Sequence, residues 1–221
     1  MQFPKRLVAI GKLVHEGAYI ADIGADHGLL EQYIAYNLKD YHILAIENKD
    51  GPLSALRSAV ECLKNIVVSH SAGMNQVTSE YDTVVLAGMG GDNIVNILSK
   101  NPKKLESVKQ VIVDAHSYIP KVRKAMIDFG FDIDYEELVY EGGIYYIIIS
   151  FKRNMEQKTY KDEEIEFGYK LYLDPLYKDY KNYTLNKYKK LLSELKQNKV
   201  CRERRKEVKN EIRRFKSYGQ N

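Results

Sequence analysis

The chain has 221 residues with 34 Lys+Arg against 30 Asp+Glu, a formal net charge of +4, 44% hydrophobic and 29% charged residues. That composition excludes a disordered chain, a collagen-like repeat and a disulfide-built miniprotein, and no apolar run reaches the roughly 18 residues of a membrane span. Cys62 and Cys201 lie far apart without a CxxC pair and the five histidines lack metal-ligand spacing, so neither a disulfide framework nor a metal site is expected.

The first fourteen residues, MQFPKRLVAIGKLV, hold too short an apolar stretch, interrupted by Gly11 and Lys12, for a secretory signal. A cytoplasmic monomer is the expectation. Helical spacing begins at once and predicts a helix over 5–15. Short apolar, β-branched runs then alternate with helical stretches. They predict strands at 18–24, 42–47, 66–70, 82–87 and 109–114 and helices at 28–38, 51–63, 91–99 and 120–129. Four of these five strands are nearly continuous apolar runs, the pattern of strands buried on both faces of a parallel sheet. Two more, at 132–140 and 144–151, flank Glu141-Gly142-Gly143 and read as a hairpin. The sum is an α/β fold: a Rossmann-like, seven-stranded, mostly parallel sheet with an antiparallel end, built from five alternating βα units. Ligands are expected at the carboxyl ends of its strands.

After Arg153 the strand signals stop and Tyr and Lys dominate, which divides the chain into domains at 1–153 and 154–221. Tyr177, Tyr180, Thr184, Tyr188, Leu191 and Leu195 form one helical stripe, and Arg204, Val208, Ile212 and Phe215 form another beyond a polar break at Gln197-Asn198. These predict a coiled-coil-like extension of two antiparallel helices, each roughly 30 Å long if about 20 residues. The tail from Tyr218 is expected to fray. Charge divides with the domains: residues 1–153 carry 16 basic and 19 acidic side chains, whereas 176–221 carry 15 and 5. Such a basic arm suits a polyanion.

Strand one ends in Asp22-Ile23-Gly24-Ala25-Asp26-His27-Gly28. A dinucleotide site would need GxGxxG, but Asp26 stands where the second glycine admits a pyrophosphate, and a carboxylate there repels phosphate. A cofactor without phosphates and with a positive centre fits better, and S-adenosylmethionine is such a molecule. Strand two ends in Glu47, nineteen residues past Gly28, placed to accept hydrogen bonds from ribose hydroxyls, with Asn48 beside it. After strand three, Gly73 supplies a turn and Met74 a soft apolar side chain for an adenine face. Strand four ends in Ala87-Gly88-Met89-Gly90-Gly91-Asp92, whose glycines are expected to leave free main chain as a flat slot for a planar base.

These segments resemble the bacterial tRNA (adenine-22-N1)-methyltransferases, class I enzymes that use S-adenosylmethionine. DIGADHG resembles the family's DIGSDHAYLP, IENKDGPLSAL its acidic EVxxGPxxSA segment, and AGMGG its signature; EGGIYYIII and Glu166-Phe167-Gly168 also look like family segments. Two stretches depart: Leu29-Leu30 replaces Tyr-Leu, and Asp114-Ala115-His116 replaces Gln-Pro-Asn. The resemblance implies methyl transfer to N1 of an adenine in tRNA, with Asp22, Gly24, Gly28, Glu47, Asn48, Gly73, Met74 and Gly88 around the cofactor. In-line transfer to a nitrogen lone pair needs orientation and tolerance of positive charge moving onto the base, but no protein nucleophile. Asp26 is the expected group for that charge, with His27 positioning the base. Met89, Gly90, Gly91 and Asp92 are expected to face the base, and Arg202, Arg205, Lys209 and Arg213 to face RNA phosphates.

Two other readings use the same residues. A methyltransferase acting on a small molecule or protein would share the cofactor site but leave the basic arm without a purpose. A non-catalytic RNA-binding module would have no use for intact Asp22, Gly24, Gly28 and Glu47.

Overall fold

In the computed structural model β1 (Ala18–Ile23), β2 (Tyr41–Glu47), β3 (Ile66–His70), β4 (Thr83–Gly90) and β5 (Gln110–Ser117) form the parallel part of one sheet. β6 (Phe131–Glu141) and β7 (Ile144–Arg153) complete it as an antiparallel hairpin, with β7 against β5. The strand order is β3-β2-β1-β4-β5-β7-β6. The order reverses between β1 and β4, which opens a crevice at their carboxyl ends. The structure describes residues 2–154, 158–196 and 202–219, and the chain divides into two compact units, 1–159 and 160–221.

Period-two burial explains why the strands read as apolar runs. Ile20, Ile43, Ala45, Val85, Ile112 and Ile148 share a core with Leu7 and Ile10 of α1 (Lys5–Leu13), Ile34 of α2 (Leu29–Asn37), and Leu53 and Leu56 of α3 (Asp50–Val60). The alternate positions Ala21, Leu44, Val84 and Val111 are buried as well, as are Ile94 and Leu98 of α4 (Gly91–Ser99) and Val122 and Met126 of α6 (Ile119–Asp128). β3 departs from the expected two-faced burial because it is the sheet's edge, where Val67 is 60% exposed.

Three further differences from the predicted elements have local causes. No helix joins β3 to β4, as the predicted helix positions have it and against the even count of five βα units; the connection is a turn held by Lys104, whose Nζ donates to the carbonyls of Met74 (2.8 Å), Asn75 (2.6 Å) and Val77 (2.9 Å). Lys104 sits on α5 (Pro102–Leu105), a single turn started by proline at its first position, too short for periodicity to reveal. The Gly-rich end of β4 is not free main chain: a bulge around Gly88 lets the strand continue, pairing Met89 with Ala115 and Gly90 with Ser117.

Arg123 of α6 and Glu136 of β6 form an ion pair at 2.6 Å, with side chains 1% and 0% exposed. A second guanidinium nitrogen lies 3.3 Å from the other carboxylate oxygen. Breaking a buried pair strands one charge. Arg123→Met is therefore expected to lower unfolding free energy by about 3–5 kcal/mol, with Arg123→Met/Glu136→Leu recovering most of it; urea denaturation of both variants checks this.

The second unit contains α7 (Asp162–Phe167), a 3-10 turn at Leu171–Leu173, α8 (Tyr177–Lys196) and α9 (Arg202–Ser217). Lys181 near the start of α8 donates to the carbonyls of Lys216 in the last turn of α9 and of Tyr218 just beyond it, so the two helices are antiparallel. Phe167, Tyr177, Val208, Phe215 and Tyr218 are buried together, with Phe167 and Phe215 centroids 5.1 Å apart. The expected fraying at Tyr218 does not occur: its ring is buried and its hydroxyl donates to the Gly168 carbonyl. The polar break at Gln197-Asn198, and Gln220 and Asn221, lie outside the described residues. Arg204 leaves its predicted stripe, being exposed and paired with Glu207 (2.9 Å) and Glu211 (3.4 Å).

Candidate active site

A cavity of ≈ 770 Å³ opens at the carboxyl ends of β1, β2 and β4, in the crevice set by the strand order. Of the expected residues, Asp22, Gly24, Asp26, His27, Glu47, Asn48, Gly73, Gly88 and Met89 line it. Gly24 has φ +83°, and a Cβ there would come within 2.4 Å of Met89 Cε, so the β1 turn and the β4 turn approach each other only because this residue lacks a side chain.

Glu47 organises the loop. Its Oε1 accepts from the amides of Asn48 (2.8 Å) and Lys49 (2.9 Å), and its Oε2 accepts from the amide of Asp26 (3.2 Å). Three backbone donors fix the carboxylate, which has about four acceptor positions, so one lone pair remains for a ligand hydroxyl. The same bond holds Asp26 at φ +53°, a left-handed conformation that Asp tolerates better than most residues. The Asp26 carboxylate stands exposed with Oδ2 2.9 Å from His27 Nδ1. With its proton on Nδ1, His27 keeps an acceptor lone pair on Nε2. Asp26 does not cap α2: Gly28 is the N-cap residue and receives no side-chain hydrogen bond there.

Not all expected residues reach the cavity. Gly28, Met74, Gly90, Gly91 and Asp92 lie outside its lining. Met74 is fully buried and shows no face to a ligand. A Cβ on Gly91 would meet the Ser117 carbonyl at 2.4 Å, so that glycine serves the close packing of the β4–α4 junction against the end of β5. Asp92 pairs with Lys121 of α6 at 2.5 Å. In the second unit, Arg202, Lys209 and Arg213 are exposed, and Arg205 is half-buried with its Nε unpartnered. Spacings of three, four and four place these four on one face of α9.

Several residues enter the site without having been expected. Arg6 and His116 line the cavity, with Asn75, Asn93, Asn96 and Asn101 along the wall near α4. Asp114 follows the apolar run Val111–Val113 of β5 as Glu47 follows that of β2, so the same sequence signal was present. Glu31 gave none, because a glutamate in the first turn of a helix reads as a favourable dipole partner.

Glu31 is in fact fully buried, and no N–H or O–H of another residue reaches either of its oxygens. Two neighbouring carboxyl groups can bond only through a shared proton, and the interaction of Glu31 with Asp22 favours that proton on Glu31. Burial pushes Glu31 well above the usual carboxylate range, and the neighbouring Asp22 charge adds to this. Burial likewise raises Asp22 to about 6, aided by Glu47 and opposed by the Glu31 hydrogen bond. Both folded-state values lie above the unfolded ones. The pair's contribution to stability is therefore fully present below about pH 4 and is lost as pH rises through about 6. In the ligand-free protein, a loss on the order of 1–3 kcal/mol between about pH 4 and 6 is expected. Glu31→Gln, whose amide can donate at any pH, should flatten that decline. Calorimetric melting curves of both proteins across this range check it, and parallel curves would exclude the shared proton.

Among the described residues no group of three or more His, Cys, Asp or Glu could hold a metal ion, and no helix is long and apolar enough to cross a membrane.

The chain aligns with the tRNA (adenine(22)-N(1))-methyltransferase of Bacillus subtilis at 28% identity over 153 residues, covering 67% of this chain and 64% of that enzyme. The alignment thus spans just under two thirds of that relative's length. Among solved structures, TrmK of M. capricolum in complex with S-adenosyl-homocysteine superposes with a TM-score of 0.85 at 26% identity, covering 100% of this chain and 99% of that one. Sp1610 of Streptococcus pneumoniae in complex with S-adenosyl-L-methionine superposes with a TM-score of 0.81 at 25% identity, covering 98% and 99%. The family model described as a methyltransferase domain matches residues 3–149, which hold the whole sheet up to β7 and every residue lining the cavity. With its strand order, its β1 turn and its switch-point cavity, the chain belongs to the methyltransferase-domain family.

Proposed function

We propose that this protein transfers a methyl group from S-adenosylmethionine to N1 of an adenine in tRNA, giving 1-methyladenosine. The observation that carries the reading is the convergence of Asp22, Gly24, Glu47, Gly73 and Gly88, from four separate turns, on one cavity at the sheet's switch point. The residues suit the cofactor: carboxylates at Asp22, Asp26 and Glu47 favour a cationic ligand with ribose hydroxyls, and the turn at Gly24 admits it without a Cβ. When bound, S-adenosylmethionine supplies an electrophilic methyl group.

The chain's residues then have separable tasks. Glu47 offers its remaining lone pair to a hydroxyl while holding the β1 loop. Asp26, which lines the same cavity as Gly88 and Met89, stabilises positive charge developing on the base and can accept from its exocyclic amine. His27 holds the Asp26 carboxylate in orientation. An adenine in a folded RNA arm must leave its stack before reaction, and the Arg202, Arg205, Lys209 and Arg213 stripe supplies phosphate contacts that offset that cost. The tRNA substrate and position 22 are those of the B. subtilis relative.

Incubation with labelled S-adenosylmethionine and unmodified tRNA, followed by nucleoside analysis, tests the reading. Label is expected in 1-methyladenosine; label in another nucleoside removes the adenine-N1 assignment, and no cofactor binding removes the reading altogether.

A further inference from the structure

The β6–β7 hairpin outruns its pairing with the sheet. β7 pairs with β5 as far as Asp114–Ile148, in one row with Glu137 of β6, and residues 138–147 pair only with each other. β6 runs in the direction of β5, so this ribbon, about 13 Å long for four residues a side, stands at the carboxyl edge where the cavity opens. Tyr140 and Tyr145 are opposite each other across it with centroids 4.6 Å apart; Tyr140 is 46% exposed. By alternation they share the face of Glu136, the face that α6 covers through Arg123. Tyr118, the N-cap residue of α6, opens on the same edge: Ser117 and Tyr140 both stand three residues beyond the Asp114–Glu137 row.

Tyr118 has φ +51°, a left-handed conformation that is an outlier for a bulky residue. Its ring is 63% exposed, so burial does not offset the strain. The Tyr118 carbonyl accepts from the amides of Lys121 (3.0 Å) and Val122 (3.2 Å) and would lie 3.0 Å from a Cβ on Gly91, which fixes the residue against the β4–α4 junction. Strain of this kind gathers at ligand sites. On its other face the ribbon touches the cavity wall, with Tyr146 edge-on at 5.7 Å to His116, a lining residue. The exposed rings of Tyr19 and Tyr36, by contrast, lie at the opposite edge, near the start of β1 and the end of α2.

We propose that Tyr118, Tyr140 and Tyr145 form a stacking shelf at the mouth of the cavity for the unpaired RNA bases that flank the reacting adenine. This role rests on the tRNA reading above. An adenine that leaves its stack uncovers the faces of its neighbours, and an aromatic ring accepts any of them because every base has a π-face. Continuity with the site argues for RNA as the occupant, since a strand whose adenine enters the cavity crosses the adjoining edge. Charge agrees, because two acids of this edge are already engaged: Glu141 Oε1 accepts from the Lys5 amide at 2.7 Å, and Asp92 pairs with Lys121 at 2.5 Å. In the second unit Tyr177 and Tyr218 are buried and show no face to a base. The shelf thus holds bases, whereas the α9 stripe holds phosphates.

The chain has no tryptophan, so Tyr118→Trp and Tyr140→Trp each carry a single reporter ring that keeps the stacking face. Saturating unmodified tRNA is expected to quench the emission of both. Tyr118→Asn, which suits the left-handed backbone, and Tyr140→Leu, which stays apolar without a π-face, should each weaken tRNA binding roughly 5- to 100-fold, the range for one lost base–aromatic stack. Phenylalanine at either position should restore it. Cofactor affinity should not change, nor should the slope of log affinity against log salt, because stacking releases no counterions. A tRNA made abasic on both sides of the reacting adenine should bind the parent and Tyr140→Leu alike. Unquenched tryptophan with parental tRNA affinity in Tyr118→Asn and Tyr140→Leu overturns the shelf and leaves methylation standing. A reduced salt slope overturns it in favour of a phosphate contact, and lost self-association at unchanged tRNA affinity overturns it in favour of a second copy of this chain. Should Tyr118→Asn or Tyr140→Leu fail to fold, the two tryptophan reporters still decide. Failure of the intact protein to methylate tRNA defeats the tRNA reading itself.

Discussion

Asp26→Asn is expected to lower the rate of tRNA methylation about 100- to 1000-fold, the cost of removing one electrostatic partner of a developing charge, while cofactor affinity stays within about threefold. Asparagine is the informative substitution because position 26 has φ +53°, which Asn tolerates and Ala does not. The amide that donates to Glu47 is unchanged in this variant, so the loop and the hydroxyl-facing carboxylate persist. What is lost is the negative charge beside His27, 2.9 Å away. Single-turnover methylation together with calorimetry separates the two effects. A variant with normal kcat would reduce Asp26 to a turn residue, and one with lost cofactor affinity would show that the carboxylate belongs to the cofactor.

The second large effect is expected on α9. Replacing Arg202, Arg205, Lys209 and Arg213 together by alanine should weaken tRNA binding by roughly 100-fold or more at physiological salt. The slope of log affinity against log salt should fall by about 0.9 for each phosphate contact removed. Cofactor affinity should not change. Arg204→Ala provides the contrast on the same helix, since its charge is already engaged by Glu207 and Glu211 and should contribute little to the slope. Filter binding over a salt series reads both quantities. A reduced affinity with an unchanged slope would indicate damage to the helical pair rather than lost phosphate contacts. An unchanged affinity would leave the basic face without its proposed ligand.

The tyrosines of the second unit show what patterning can and cannot assign. Their spacing of three and four marked a helical stripe, and Tyr177 is indeed buried in the hairpin's core. Burial pushes the Tyr188 hydroxyl up to about 12, with the carboxylates of Glu211 and Glu166 adding to the shift. These rings hold the helices together, which leaves the proposed RNA contact to the charged face. Conversely, Tyr218 and its hydrogen bond to Gly168 across fifty residues had no local signature, because the partner is a backbone carbonyl in a distant turn.

The sequence by itself determined the seven strands, the hairpin at the end of the sheet and the acidic residues at strand tips, because strand and helix periodicities and turn glycines are local properties of the chain. It also determined the division of charge between the two parts. Strand order was left to the tertiary structure, and with it the meeting of Arg6 with Asp114, 108 residues apart. The bulge that carries β4 past Gly88 was decided there too, since it depends on pairing with β5. So were the raised carboxyls of Asp22 and Glu31: burial removes their water, and which carboxylates lose water is fixed by packing across elements.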